Sequence, residues 1–226
     1  MGEIRIPVSD PLAQWGLRIP AGNLRLTYAS TLKRGLDVVF AALLLVVTMP
    51  LWLVIAVAIK LDSPGPWLFA QERVGFGGRR FQFLKFRSMG VDADRLLESL
   101  LAKNEVDGPT FKLRQDPRVT RVGRFLRRTS LDELPQLINV LRGEMSMVGP
   151  RPPLQREVDQ YEPSDMVRLS VMPGITCLWQ VNGRSDTSFE QWMAYDREYV
   201  ERLSFGLDLW IIVRTVGVVL SCRGAY

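Results

Sequence analysis

Hydrophobic and polar positions divide the chain into regimes that predict different elements. Residues 1–30 show no sustained period, carry Pro7, Pro11 and Pro20, and read as a loose or surface-lying N-terminal extension. Residues 38–59 then run without a single charge, long enough for a helix of bilayer thickness. The membrane unit is assigned to 31–62, closed by the turn Ser63-Pro64-Gly65-Pro66, and 63–226 to a second domain. Segments 67–74 and 80–86 flank Gly75-Phe76-Gly77-Gly78 and predict a short β-hairpin; the glycines lack the spacing of a P-loop or dinucleotide fingerprint. Ala93, Leu96, Leu97, Leu100 and Leu101 form a helical stripe expected to pack, and 104–115 reads as loop. Leu134, Leu137, Ile138 and Leu141 recur at i, i+3, i+4 and i+7, predicting a short buried helix stopped at Gly143. Ser188-x-x-Gln191 predicts a capped helix whose face carries Phe189, Trp192, Tyr199 and Leu203. Residues 203–222 are apolar but interrupted by Asp208 and Arg214, which suits lying on a membrane or packing on the first apolar segment; an internal helix is a near-equal alternative. The expected fold class is mainly α with a small β-hairpin (α+β), anchored by a membrane helix.

The membrane segment has a feature that argues against a straight span. Thr48-Met49-Pro50 lies at its middle, and a proline there removes one helix hydrogen bond and crowds the preceding turn. Lys33 and Arg34 precede the run; Lys60, Arg73, Arg79, Arg80, Lys85 and Arg87 follow it, so both flanks prefer the cytoplasmic side. A re-entrant helix–break–helix that enters and leaves on one face, broken at Pro50, satisfies both. The alternative is a bitopic helix with a tolerated proline. The segment starts too late and runs too long for a cleavable signal peptide. Arg34 and Asp37, at i and i+3, are expected to pair at the interface.

Composition narrows the chemistry. The 226 residues contain no histidine, which removes Ser-His-Asp and Cys-His catalysis, histidine phosphotransfer and histidine-ligated metals. Acid–base or nucleophilic work falls to Asp, Glu, Lys, Tyr, Ser or Cys, and any metal is a hard, oxygen-ligated ion such as magnesium. Cys177 and Cys222 are too few and too separated for a disulfide framework or a zinc site. The net charge of +5 fits an anionic partner such as a membrane surface or phosphates.

Within 127–152, RRTSLDELPQLINVLRGEMSMVGPRP, adjacent acids Asp132 and Glu133 precede the buried helix, framed by Arg127, Arg128 and Arg151. A helix start favours ionised carboxylates and bound phosphate alike. Ser130-x-x-Glu133 is also a capping box, which needs no chemistry.

Over roughly 32–224 the chain resembles the catalytic domain of the bacterial sugar transferases, the monotopic phosphoglycosyl transferases. The resemblance rests on Lys33-Arg34-x-x-Asp37 before a proline-broken helix, Lys85-Phe86-Arg87-Ser88-Met89, Ser130-Leu131-Asp132-Glu133-Leu134-Pro135-Gln136, Val148-Gly149-Pro150-Arg151-Pro152, and Pro173-Gly174-Ile175-Thr176 with Gln180-Val181-Asn182-Gly183-Arg184. Met49 stands where members often carry Ser before the proline. Without extra N-terminal membrane helices the chain resembles the minimal catalytic form. The resemblance implies transfer of a sugar 1-phosphate from a UDP-sugar to polyprenyl (undecaprenyl) phosphate, with UMP leaving. It implies a magnesium-dependent reaction through a covalent aspartyl-phosphosugar, feeding exopolysaccharide or glycoconjugate assembly. Asp132 is then the nucleophile and a magnesium contact, and Glu133 the base for the acceptor. Arg127, Arg151 and Arg184, with Lys85 and Arg87 from their motif, are candidates to hold phosphate or nucleotide. The implied setting is the cytoplasmic face of the bacterial inner membrane, with lipid as partner, no nucleic acid, and a homo-oligomer left open. Competing readings are a membrane-anchored scaffold whose acids only cap a helix, and a nucleotide-sugar hydrolase or phosphatase with water as acceptor.

Overall fold

The structure, a computed structural model, describes residues 31–105, 108–111, 113–183 and 187–221. The N-terminal extension, Arg184 and Cys222 lie outside the described residues. The chain begins with one long helix, α1 (Lys33–Asp62), whose helical pattern continues through Pro50, so the expected break does not interrupt it. Beside the proline, the Thr48 hydroxyl donates to Leu44 O (2.7 Å) and accepts from Trp52 Nε1 (3.2 Å). Along α1 a single seam faces inward: Lys33, Asp37, Ala41, Leu45, Trp52, Ile55 and Ile59, spaced by three, four or seven residues. Every other face is apolar and exposed, from Val39 and Leu43 through Val46, Leu53 and Val57. A helix oily on all sides but packed along one line reads as a membrane segment docked on its own domain.

The β-hairpin forms as the alternation predicts: β1 (Leu68–Val74) pairs antiparallel with β2 (Arg80–Phe86), from Leu68↔Phe86 to Val74↔Arg80. After it come α2 (Ala93–Leu100), α3 (Arg121–Arg128), a 3-10 turn (Leu131–Glu133) and α4 (Gln136–Arg142), ended by Gly143 at φ 80°. α2 departs from its expected role: of its apolar stripe only Leu100 is buried, and Leu96 and the following Leu101 are exposed. The stripe is helical, but among the described residues no element lies over that half of it.

The sequence carried no strand signal for the second sheet. β3 (Ser146–Val148) pairs in parallel with β4 (Gly174–Thr176), each three residues long. Two glycines permit it: a Cβ on Gly149 would sit 2.1 Å from Met172 O, and one on Gly174 2.0 Å from Gly149 N. Val148-Gly149-Pro150 and Pro173-Gly174-Ile175 thus meet backbone to backbone. Then follow α5 (Gln155–Val158), α6 (Leu178–Asn182), α7 (Phe189–Arg202) and α8 (Phe205–Ser221). α7 starts on the expected capping box, with Ser188 Oγ accepting from Gln191 N and Gln191 Oε1 from Ser188 N. α8 packs inward through Asp208 and Ile211 and turns Phe205, Leu209, Trp210 and Val213 outward.

Two buried polar side chains cover strand edges. Asn139, fully buried on α4, accepts from Leu84 N (3.1 Å) and donates to Gln82 O (2.7 Å), acting as a surrogate strand beside β2. Asp37 of α1 accepts from Met147 N of β3 (3.0 Å). The expected Arg34–Asp37 pair does not form. Arg34 reaches instead to the last carbonyls of α4, Val140 and Leu141, where a cation is favoured.

Candidate active site

Ser130 starts the site. It adopts φ 57°, the one non-glycine residue at positive φ among the described residues, and lifts the 3-10 turn away from the axis of α3. The capping box does not form, since Ser130 makes no side-chain cap bond and Glu133 is engaged elsewhere. Asp132 and Glu133 ride on this turn, ahead of α4 rather than in its first turn, because Pro135 intervenes at the N-cap. Capping therefore does not account for the acids.

Glu133 Oε1 is gripped by two cations, Lys85 Nζ at 3.0 Å and Arg151 Nη1 at 2.9 Å. Asp132, only 5% exposed, has Lys85 Nζ at the longer distance of 3.6 Å. Lys85 comes from β2, whose alternation puts Phe81, Phe83 and Lys85 on one face. Opposite on β1, Arg73 pairs with Phe81 and donates from Nη1 to Pro152 O (2.8 Å), which brings it next to Arg151. The charged groups of Arg73, Lys85 and Arg151 stand 5.1, 5.4 and 5.7 Å from the ring centre of Phe83, close enough for its face to offset part of their repulsion. On the far side Arg127 Nε donates to Ser88 Oγ (3.0 Å), and its charge acts on Asp132. α3 approaches that segment closely at Gly123, where a Cβ would lie 2.0 Å from Ser88 O. Asp116 and Arg118, a buried pair joined through two nitrogens at 2.9 and 2.7 Å, adjoin Arg127.

Of the predicted residues, the structure brings Asp132, Glu133, Lys85, Arg127 and Arg151 together. It does not bring Arg87, which lies past the end of β2 and donates to Ser63 O (2.8 Å) and Ser63 Oγ (2.9 Å) at the end of α1. Arg87 secures the turn that follows α1. Arg73 and Phe83 belong to the site and went unread; the period-2 face of the hairpin was the available signal. Behind the site, Arg168 pairs with Asp196 (2.8 Å) and donates to Arg151 O (2.8 Å), fixing the loop that presents Arg151.

Four cations, Lys85, Arg73, Arg127 and Arg151, face two carboxylates. Adding Glu157, whose charge reaches Arg73 but whose side chain closes α5 through Leu154 N, still leaves a surplus of positive charge. Such a surplus in a buried setting calls for an anion. The two acids are driven apart. Burial raises both, but Lys85 and Arg151 overcome it for Glu133 and hold that carboxyl at about 2. Asp132 is pushed above the ordinary aspartate range by burial, with Lys85 opposing and Glu133 adding to the rise. Burial lowers Lys85 against the pull of Glu133, and burial with Arg151 brings Arg73 to about 10, still charged at neutral pH. Pairs with opposed shifts divide tasks between them.

A family model described as "Bacterial sugar transferase" matches residues 28–222. The chain belongs to the bacterial sugar transferase family. Among related sugar transferases, the galactosyl transferase CpsE of Streptococcus agalactiae serotype III is 45% identical over 85% of this chain and 43% of its own length. The exopolysaccharide production protein ExoY of Sinorhizobium fredii is 42% identical over 86% of this chain and 88% of its own. The UDP-glucose:undecaprenyl-phosphate glucose-1-phosphate transferase of Caulobacter vibrioides is 45% identical over 92% of this chain and 76% of its own. The chain thus spans less than half the length of some curated sugar transferases that it matches and most of others. The matched span takes in α1, the acidic turn and both glycine motifs, so anchor and site belong to one family unit.

Proposed function

We propose that this sugar transferase moves a sugar 1-phosphate from a UDP-sugar to polyprenyl phosphate at a membrane surface, releasing UMP. The observation that carries the reading is the pair Asp132 and Glu133, one loosely held and one tightly held, among surplus cations. In the first step an ionised Asp132 oxygen attacks the sugar-bearing phosphorus of the donor. The bond to the bridging oxygen breaks, and UMP departs with that oxygen. In the second step a phosphate oxygen of the polyprenyl acceptor attacks the same phosphorus. The aspartyl–phosphorus bond breaks, freeing the carboxylate and leaving polyprenyl diphosphate sugar. Ionised carboxylates need no base to become nucleophiles, which suits a chain without histidine.

The cations have a matching task. Lys85, Arg73, Arg127 and Arg151 hold diphosphate oxygens and offset the charge that spreads over them as the bond breaks. Glu133 is a weak base while Lys85 and Arg151 grip it. It serves as their resting anion, and regains basicity when substrate phosphate draws those cations away.

Among the described residues no three His, Cys, Asp or Glu side chains form a metal cluster. Magnesium would need no such cluster, being commonly held by one or two carboxylates plus substrate phosphates. On this reading Asp132 would hold it, since Glu133 is taken by cations. A bound magnesium ion supplies charge neutralisation for the diphosphate.

The anchor reading is a helix that enters and leaves on the cytoplasmic face of the bacterial inner membrane, with its helical pattern continuing through Pro50 rather than broken there. Both ends of α1 are tied to one domain, Lys33 by Asp208 and Asp62 by Val122 N (3.0 Å), and its seam runs between them. A helix crossing to the far side could not keep both ties. Cysteines at Ser30 and Pro64 should be labelled from the same side of sealed vesicles; labelling from opposite sides would refute this topology.

The activity test is reconstitution with a panel of UDP-sugars, following UMP and the partition of sugar phosphate. Label in the lipid phase and its loss in Asp132→Asn support the transferase; label in water indicates a hydrolase, no turnover of any UDP-sugar by the wild type a scaffold, and unchanged turnover in Asp132→Asn refutes Asp132 as the nucleophile.

A further inference from the structure

The segment Pro150-Arg151-Pro152-Pro153 has a single backbone N–H, that of Arg151, so it cannot be held through its own donors. Its carbonyls hold it instead, and all four are taken. Pro150 O accepts from Gly174 N (3.0 Å), Arg151 O from Arg168 Nη2 (2.8 Å), Pro152 O from Arg73 Nη1 (2.8 Å) and Pro153 O from Val74 N (2.9 Å). The prolines fix φ and the donors fix each peptide plane, which makes a rigid mount for the Arg151 side chain. Two of the donors are backbone amides and Arg73 belongs to the site. Arg168 is neither.

Arg168 lies on the 3-10 helix Asp165–Ser170 with its side chain 1% exposed, closed to any substrate. The nitrogen that donates to Arg151 O also lies 2.8 Å from Asp196 Oδ2. Nη1 donates to Tyr161 Oη, and the guanidinium stands 5.4 and 5.2 Å from the ring centres of Tyr161 and Trp192. Trp192 and Asp196 are one turn apart on α7, so one helix supplies both an aromatic ring and the anion. Burial pushes the Asp196 carboxyl up to about 6, with Arg168 opposing, and it is ionised at neutral pH.

The pair adds no net charge to the site. A buried ion pair contributes little stability beyond what apolar side chains of the same volume would give. Apolar side chains, however, could not hold one peptide oxygen in one place. That oxygen belongs to Arg151, whose Nη1 meets Glu133 at 2.9 Å.

We propose that Asp196 and Arg168 form a positioning relay for the transfer reaction: Asp196 orients Arg168, Arg168 holds the Arg151 peptide, and Arg151 is thereby aimed at Glu133 and the donor diphosphate. The catalytic part of the proposal rests on the transferase reading above. Asp196 and Arg168 are positioning residues, since neither touches the reacting atoms.

The test uses the full chain in detergent micelles and the variant Arg168→Lys, which keeps a cation beside Asp196 but replaces a planar fork by a single ammonium. A misplacement of about 1 Å can cost about a hundredfold in rate, so Arg168→Lys should lower kcat for UMP formation about tenfold. Urea unfolding at pH 7 supplies a readout independent of activity. Glu133→Gln should change the unfolding equilibrium constant about tenfold less in the Arg168→Lys background than in wild type, because a displaced Arg151 no longer grips Glu133. Tyr161→Phe, which removes only the hydroxyl that receives Arg168 Nη1, is the milder variant should Arg168→Lys not fold, and it should move both readings in the same direction. Equal effects of Glu133→Gln in the two backgrounds, the result expected of residues that do not communicate, overturn the relay; so does an unchanged kcat. A wild type that releases no UMP from any UDP-sugar overturns the transferase reading instead, and the unfolding comparison still judges the relay.

Discussion

Replacing Glu133 by glutamine removes the charge shared by Lys85 and Arg151 while keeping nearly the same shape. A carboxyl drawn from 4.5 to about 2 prefers its ionised, cation-bound form by about 3 kcal/mol, at about 1.4 kcal/mol per tenfold change in proton affinity. Glu133 is 15% exposed at its side chain, so solvent screens little of this. The sign follows from the lowered value: the contribution is fully present above the unfolded carboxyl's 4.5 and is lost as pH falls towards 2. Glu133→Gln should therefore destabilise the chain by about 3 kcal/mol at pH 7, within the range for breaking one partner of a buried pair. The difference from wild type should shrink steadily between pH 4.5 and pH 2. Urea unfolding in detergent micelles, read by tryptophan fluorescence at pH 7 and pH 2.5, measures it. A difference of the same size at pH 7 and pH 2.5 would mean that shape, not charge, explains the loss, and the electrostatic account of the site would fall.

Asp132→Asn should act in the opposite direction. Burial disfavours the ionised Asp132, so a neutral isostere should raise the melting temperature by a few degrees while activity is lost; an unchanged or lower value refutes the claim that this carboxylate is held at a cost. Ser130→Val should cost about 1–3 kcal/mol, because a β-branched residue resists φ 57°, whereas Ser130→Gly should be tolerated; equal melting temperatures for the two would contradict the strained turn. Asn139→Leu leaves Leu84 N without its partner and should cost about 1–3 kcal/mol or more. Hydrogen exchange at that amide should rise more than at the β1-paired amides, and uniform protection across β2 would remove the surrogate-strand role.

What the sequence yielded depended on whether the physics was local. The hairpin was legible because alternation and a glycine turn are written in neighbouring residues. The Gly143 stop and the Ser188 cap were legible for the same reason. β3 and β4 were not, since three-residue strands leave no period and their pairing depends on two glycines about 25 positions apart. Arg73 read as a membrane-flanking charge until strand register put it beside Phe83 and Arg151. Arg87 failed the other way: a motif placed it near Lys85, but the strand ends between them and its side chain turns to Ser63. Ser130-x-x-Glu133 satisfied a local rule that tertiary charge overrode, because Lys85 and Arg151 outcompete a backbone amide for a carboxylate.

The route from anchor to site runs through buried polar groups that a purely apolar core would not need. Lys33 at the start of α1 pairs with Asp208 of α8, both nearly closed to solvent. The Tyr199 hydroxyl lies between Asp208 Oδ1 (2.8 Å) and Val148 O (2.9 Å), and Val148 opens the loop that presents Arg151. Asp37, one turn along α1, holds Met147 N of the same strand. Burying Lys33 with Asp208 carries a desolvation penalty that its attraction barely repays, so a gain in stability is a poor reason for it. Position is a better one. Apolar contacts along the seam would let α1 slide against the domain, whereas directional bonds fix which turn of the anchor meets which strand. If the membrane sets the height of α1, the same bonds set the height of Arg151 and, through it, of Glu133. In the proposed reaction the soluble donor and the lipid-bound phosphate present their phosphates at different depths, and a site suspended from its own anchor would meet both at a fixed level.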